Sequence, residues 1–311
     1  MAKLVILGAT GTIGKSLVFS LSSRGKHELV LVGRDKGKLT DLVQAVSGKV
    51  KVEIAGMEDL ANAEGDAIVN CLGAGDPGTI RALGADLIKL TKAWDERILQ
   101  QLNNNRNCLC VSFSSGVVHE SNREAPVPAA SQLAVATISS GREYYYSISK
   151  LDSENRHRAA KDLNVVDLRL FGYVTRHLNP ASGYFLSDVM TALRAKRALK
   201  TSVHDMVRDY AHPDDVADLI ELCLEARPIN RAFDVYTKRP VSKFEVLEAL
   251  DKKFGLKWDL IEDAILKSDS ISKSKYYSLN HDAEMIGFHP QFTAIDGVMT
   301  ELAGYLQKRE C

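Results

Sequence analysis

The sequence predicts an α/β protein built on a doubly wound parallel sheet, and three observations carry that expectation. An apolar strand runs straight into a glycine-rich turn and a helix at the start of the chain. Apolar runs then alternate with helical patterns through the first half. A further apolar run, Ala232-Phe233-Asp234-Val235-Tyr236, reads as a late strand returning to the same sheet.

Taken in order, Lys3-Leu4-Val5-Ile6-Leu7 has strand length, and Gly8-Ala9-Thr10-Gly11-Thr12-Ile13-Gly14 follows with no spacer. Ile13, Leu17, Val18 and Leu21 then mark one face of a helix that Gly25 stops. Such a turn directs unpaired backbone N–H groups and the positive end of the helix dipole at one spot, which suits a phosphate. Gly8 allows the tight turn, Gly11 lets backbone approach a pyrophosphate, and Gly14 lets the helix lie close on the strand. The spacing is G-x-x-G-x-x-G, and its place between strand and helix points to dinucleotide binding.

Glu28 to Val32 reads as a second strand, ending in Gly33-Arg34-Asp35-Lys36. A carboxylate at this strand end holds the ribose 2′-hydroxyl of NAD, whereas an arginine pairs with the 2′-phosphate of NADP. Arg34, with Lys36 and Lys38 in the same turn, favours NADP(H); Asp35 keeps NAD open if the register slips. Val50, Val52 and Ile54 alternate as a third strand, and Ala67 to Leu72 with Gly73 and Gly75 forms a fourth. Helical stretches fall at Lys38 to Ser47 and Leu87 to Leu102. Leu109 to Gly116 is a fifth strand with a serine-rich end, and a helix runs from Gly141 to about Lys161.

Charges balance, with 40 Lys and Arg against 40 Asp and Glu in 311 residues. No basic footprint for nucleic acid or an anionic membrane stands out, and no signal peptide or apolar run of bilayer length is present. The chain is therefore expected to be cytoplasmic. The five cysteines are Cys71, Cys108, Cys110, Cys223 and Cys311. They are expected to be free thiols in a reducing compartment, with Cys108 and Cys110 on one face of a strand and no metal site.

Among Tyr144, Tyr145 and Tyr146, only Tyr146 has a lysine four residues on, Lys150, and that spacing puts the two on one helix face. With this pair in place after a serine-ended fifth strand, the chain resembles the extended branch of the short-chain dehydrogenase/reductase superfamily. That branch is the NAD-dependent epimerase/dehydratase family, to which the UDP-galactose epimerases belong. The resemblance spans nearly the whole chain. Arg208-Asp209-Tyr210-Ala211-His212-Pro213-Asp214-Asp215-Val216-Ala217 looks like the R-D-[FY]-x-H-x-x-D-[VL]-A block of the branch, and Leu279 to Pro290 is similar to its closing helix and G-[FWY]-x-P turn.

The resemblance implies a Rossmann-type fold with a smaller C-terminal substrate-binding lobe: residues 1–171 as the dinucleotide domain, with the strand near 232–236 returning to it, and 172–311 mostly as the lobe. It implies that Tyr146 passes a proton to or from the substrate oxygen, an ammonium one turn away favouring a phenolate. Lys150 also holds the nicotinamide ribose. Ser115, counted back from Val118-His119, bonds the same oxygen, with Ser114 as the alternative. The expected cofactor contacts are Gly8, Thr10, Gly11, Thr12, Ile13, Gly14, Arg34, Leu72, Gly73, Phe171, Tyr146 and Lys150. The expected substrate contacts are Ser115, Tyr146 and Arg208, the last as a guanidinium suited to a pyrophosphate or, alternatively, buried in an ion pair with Asp209 or Asp215.

Two departures narrow the activity. Gly116-Val117 stand where the 4,6-dehydratases carry Asp-Glu, which removes the groups for dehydration. Gly172, in Arg169-Leu170-Phe171-Gly172-Tyr173-Val174-Thr175-Arg176, replaces the asparagine that meets a substrate diphosphate. The expectation is an NADP(H)-dependent oxidoreductase reducing a carbonyl on a small polar metabolite, with a 4-keto nucleotide sugar as first choice. The alternatives are a nucleotide-sugar epimerase holding NAD, a ketone or aldehyde reductase with no nucleotide handle, and a non-catalytic NADP-binding regulator. The resemblance further implies a homodimer through the helix of Leu87 to Leu102 and the Tyr146 helix. A loop over the site is expected at Val118 to Ser140, and Ser242 with Glu245 forms a capping box for a helix that Gly255 ends.

Overall fold

Alternating apolar residues explain the layering of this chain. The structure is a computed structural model that describes residues 1–58, 64–119, 124–131, 133, 142–262 and 274–307. In chain order the elements are β1 (Lys3–Leu7), α1 (Thr12–Arg24), β2 (Glu28–Val32), α2 (Lys36–Val46), β3 (Val52–Ala55), β4 (Ala67–Asn70), α3 (Pro77–Leu83), α4 (Asp86–Asn104), β5 (Leu109–Ser115), α5 (Arg142–Ala159) and β6 (Asn164–Leu170). They continue as α6 (Phe185–Arg194), β7 (Leu199–Ser202), β8 (Val207–Arg208), α7 (Pro213–Glu225), β9 (Asn230–Asp234), β10 (Val241–Ser242), α8 (Lys243–Phe254), β11 (Trp258–Ile261), β12 (Lys275–Tyr276) and α9 (Ala294–Gln307).

One seven-stranded sheet runs in the order β3-β2-β1-β4-β5-β6-β9, and every pairing in it is parallel. Leu4 and Ile6 face one core with Leu17, Val18 and Leu21 of α1, Leu39 of α2 and Val216 and Ile220 of α7. Val5 and Leu7 face the other core with Ile98 and Leu102 of α4. A period of two thus buries both faces of each central strand under helices, as a parallel sheet requires. Cys108 and Cys110 lie together in the second of these cores; burial pushes the Cys108 thiol up to about 11. The Rossmann-type expectation holds. The winding changes direction between β1 and β4, which opens a crevice at their carboxyl ends.

The returning strand lies two residues earlier than the apolar run suggested. β9 pairs with β6 from Val165↔Asn230 to Arg169↔Asp234, while Val235 and Tyr236 leave the sheet and pack in the core beside it. A separate core joins Leu186, Val189 and Met190 of α6, Val246, Leu247 and Leu250 of α8, and Val298 and Leu302 of α9. Two small sheets, β10-β8-β12 and β11-β7, edge this second core. Ser242 Oγ accepts the Glu245 N–H at 3.1 Å and Glu245 accepts the Ser242 N–H at 2.8 Å, and Gly255 ends α8 in the left-handed region. In the closing segment a short 3-10 helix, Asp282–Ile286, stands where a closing helix was expected.

Two ties join the second core to the sheet half. Arg176, after β6, receives Glu301 of α9 on its backbone N–H at 2.6 Å and on its guanidinium. Asp215 of α7 accepts the N–H groups of Gln291 and Phe292. Within the sheet half, Ser20 of α1 donates to Asp214 of α7 at 2.6 Å. Among the described residues no helix is long and apolar enough to cross a membrane. Most of the expected loop from Val118 to Ser140, the helix start at Gly141, and Cys311 lie outside the described residues.

Candidate active site

The glycine turn has the backbone geometry that its spacing predicts. Gly8 adopts φ +71° and donates to Val32 O at 2.9 Å, while Gly11 donates to Gly8 O at 2.9 Å. A Cβ on Gly14 would stand 2.3 Å from Gly8 O and 2.9 Å from Ala9 Cα, so only hydrogen fits there. Gly11 is the N-cap of α1 and has no side chain to cap it, which leaves first-turn N–H groups for an anion. Ile13 packs its side chain toward the core, which leaves its backbone facing the turn. Leu72 reaches the turn from β4: its Cδ2 lies 3.2 Å from where a Cβ of Gly8 would be.

At the end of β2, Arg34 is exposed and Asp35 is occupied. Asp35 is the N-cap of α2 and accepts the Lys38 N–H at 3.1 Å. That bond holds its carboxyl below the usual carboxylate range. One oxygen of the carboxylate that kept the NAD alternative open thus caps its own helix.

Tyr146 and Lys150 project from α5 toward the carboxyl ends of β4 and β5. Lys150 Nζ donates to Phe113 O at 2.7 Å and lies 5.8 Å from the Tyr146 ring centroid. A Cβ on the exposed Gly73 would be 3.8 Å from the same Nζ. Tyr146 packs against Ala74, Ile80 and Leu87. From the far lobe, Tyr184 donates to Gly75 O at 2.7 Å, and burial, with Tyr146 beside it, pushes its phenol up.

The two serines of β5 diverge. Ser114 donates to Glu154 at 2.5 Å, and Glu154 in turn takes a bidentate contact from Arg169. Arg169 also donates to Asp234 at 3.3 Å, and Asp234 meets His119 at 2.9 Å and Ser278 at 2.6 Å. Burial opposes ionisation of Asp234, but His119, Ser278 and Arg169 outweigh it and hold its carboxyl low. Ser115 instead lies 3.1 Å from the Tyr276 hydroxyl.

Tyr276 pairs with Arg208 between β12 and β8, and its ring stands 5.1 Å from that of Phe171. Phe171 is buried and fills the space over Gly116, where a Cβ would come within 2.3 Å of it. Its ring also lies 5.9 Å from that of His119. Arg208 is partly buried, and burial lowers its hold on a proton. Asp209 and Asp215 spend their oxygens elsewhere, Asp209 on Thr237 and Asp215 on backbone N–H groups. Gly172 is fixed by packing: a Cβ there would lie 2.6 Å from Asp209 O. An asparagine cannot replace it on this backbone. Tyr184 and Tyr276 carry no sequence signal of their own, since each meets the site through contacts far along the chain.

Comparison with known proteins places this geometry. The model of the NAD dependent epimerase/dehydratase family matches residues 4–235. A sequence comparison with curated proteins finds no match. Among solved structures, the chain is similar to a UDP-glucose-4-epimerase from Stenotrophomonas maltophila with bound NAD and formylated UDP-arabinopyranose: TM-score 0.78, 16% identity, 98% of each chain covered. It is similar to a UDP-glucuronic acid 4-epimerase from Bacillus cereus in complex with NAD and a fluorinated UDP-sugar at TM-score 0.77 and 17% identity, covering 98% of this chain and 99% of that one. A dTDP-glucose 4,6-dehydratase from Bacillus anthracis in complex with NAD gives TM-score 0.77 at 14% identity, covering 99% and 97%. At these identities the structural likeness establishes the fold. With the family model spanning most of the sequence, the chain belongs to the NAD dependent epimerase/dehydratase family, within the extended short-chain dehydrogenase/reductase superfamily.

Proposed function

We propose that the chain is an NADP(H)-dependent oxidoreductase that reduces a carbonyl on a small polar metabolite, with a 4-keto nucleotide sugar as first choice. The observation that carries the cofactor choice is Asp35 capping α2 while Arg34 stays exposed at the end of β2. A guanidinium there suits a 2′-phosphate, and the acid beside it, Asp35, has one oxygen engaged in its own helix cap. When bound, the dinucleotide supplies the hydride.

The chain's own residues do the rest. The first turn of α1 binds the pyrophosphate through backbone N–H groups. Lys150, already bonded to Phe113 O beside Gly73, holds the nicotinamide ribose. Tyr146 hands its hydroxyl proton to the substrate oxygen, and Ser115 donates a hydrogen bond to the same oxygen. Arg208 faces the anionic part of the substrate. The lobe built on α6, α8 and α9 roofs the crevice, with Tyr184 of α6 reaching across to Gly75.

Recording the ultraviolet spectrum and mass of the cofactor carried through purification, then NADPH oxidation with a panel of 4-keto sugars, tests this reading. Tightly held NAD with no NADPH binding moves the chain to the epimerase reading, which the NAD complexes among the similar structures favour. A reductase with no nucleotide handle is favoured by Gly172. Thermal-shift screening with nucleoside diphosphates decides it: stabilisation by none of them removes the sugar-nucleotide substrate. A homodimer through α4 and α5 is part of the same reading, checked by the mass in solution.

A further inference from the structure

The bond between Ser115 and Tyr276 joins the end of β5 to a two-residue strand 161 positions away. Contacts with described residues hold the phenol. Its backbone pairs with Arg208, its ring lies on Phe171, and its hydroxyl meets Ser115. Phe171 cannot give way, since it is buried and pressed against the backbone of Gly116. The oxygen of Tyr276 is therefore held at one place relative to Ser115.

Either oxygen of that pair can carry the shared proton. A phenol is a stronger acid than an alkanol, so it is the better donor; Arg208, its ladder partner on β8, stands beside it. If Tyr276 donates, one lone pair of Ser115 is satisfied and its own proton is turned away, toward the crevice. A serine that must donate to a substrate oxygen needs that orientation. If Ser115 donated to Tyr276 instead, it would have to break that bond before each turnover.

Building on the proposed reduction, we infer that Tyr276 is a positioning residue: its hydroxyl donates to Ser115 and sets the direction of the serine proton. Tyr276 acts through Ser115 and contributes no contact with the reacting atoms. The consequence is a specific pattern of coupling between the two side chains.

The test is a double-mutant cycle of Tyr276→Phe and Ser115→Ala, assayed with whichever carbonyl or nucleotide-sugar substrate the wild-type chain turns over. Tyr276→Phe keeps the ring on Phe171 and removes one oxygen, so the melting temperature and the NADPH Kd stay at the wild-type values. Its kcat falls about tenfold with KM little changed, and Ser115→Ala costs roughly a hundredfold. The double variant is no slower than Ser115→Ala alone, because Tyr276 has nothing left to orient. Tyr276→Met, a flexible filler of the same seat, supplies the comparison should the Phe variant melt early. Wild-type kcat in Tyr276→Phe, or losses that multiply in the double variant, overturn the inference while the reductase reading stands. A wild-type chain that turns over nothing overturns that reading and this inference with it.

Discussion

Replacing Arg34 by alanine should weaken NADPH binding and leave NADH binding unchanged. Arg34 lies two residues past the end of β2, whose last residue, Val32, accepts the N–H of Gly8 at 2.9 Å, which brings Arg34 close to the glycine turn proposed to bind the pyrophosphate. It is exposed, and its stem is free to swing to a 2′-phosphate. A charge-assisted hydrogen bond of this kind contributes about 1.5–3 kcal/mol, a rise in NADPH Kd of roughly 10- to 100-fold on its loss. Lys36 and Lys38 lie in the same turn and soften the loss, so the lower end is expected. Asp35→Ala is the paired control. It removes the acceptor of the Lys38 N–H, which costs about 1 kcal/mol of stability and a Tm drop of about 1–2 °C, with cofactor preference unchanged. Calorimetric titration of each variant with NADPH and NADH reads both effects. An Asp35→Ala chain that loses NADH binding, beside an Arg34→Ala chain that keeps NADPH, would refute the assignment of the two side chains.

Further expectations concern the turn, the buried serine and the tie between the halves. In Gly14→Ala the new methyl meets Gly8 O and the Ala9 backbone; the overpacking costs about 1–3 kcal/mol, and dinucleotide binding disappears in a fluorescence titration. Ser114→Ala takes a donor from the buried Glu154, so Tm falls by an amount equivalent to about 1.5–3 kcal/mol while kcat stays near wild type; a large kcat loss at unchanged Tm would place the chemistry at Ser114. Burial opposes ionisation of Glu301, but His212 and Arg176 outweigh it and hold its carboxyl down to about 2. Because the folded value lies below the unfolded one, near 4.5, the stabilisation is complete above about pH 4.5 and is lost as pH falls toward 2. Allowing for the partial exposure of Arg176, it is worth about 1–3 kcal/mol. In Glu301→Gln, acid unfolding followed by circular dichroism should lose that part of its pH dependence, and an unaltered acid limb would exclude Glu301 as its source.

Local, periodic features were legible in the sequence and non-local ones were not. The five strands and the helices of the first half follow from apolar runs and 3.6-residue patterns that each segment carries itself. The glycine turn and the Tyr146/Lys150 spacing are likewise local. By contrast β8, β10 and β12 are two residues long, too short to show a period, and they exist because the lobe's packing brings them together. β9 was displaced in the reading because Val235 and Tyr236 continue the apolar run after the ladder ends. Arg34 and Asp35 are adjacent, and the sequence favours Arg34 while leaving Asp35 as the alternative; that Asp35 caps α2 shows only in the structure. On α4, Asp95 is buried and bound to Ser153 and Arg156 of α5 in the same chain. That intramolecular contact uses polar groups which sequence alone leaves free for a partner.

The placement of α5 shows what the Tyr/Lys motif omits. Tyr146, Lys150 and Glu154 recur at intervals of four and share one helix face. Lys150 bonds the carbonyl of Phe113, and Glu154 accepts from the side chain of the next residue of β5, Ser114. Two contacts one helical turn apart fix both the height of α5 along β5 and its rotation, which neither contact alone can do. Glu154 can be buried as a carboxylate because Arg169 meets it in a bidentate contact; an unpaired carboxylate at that depth would be too costly to keep. Arg169 extends the same anchoring to β9 through Asp234. The polar chain thus clamps the helix from below, and alternation along β5 turns Ser114 into that clamp and Ser115 away from it. The clamp uses Ser114, which is why the proposed chemistry is assigned to Ser115.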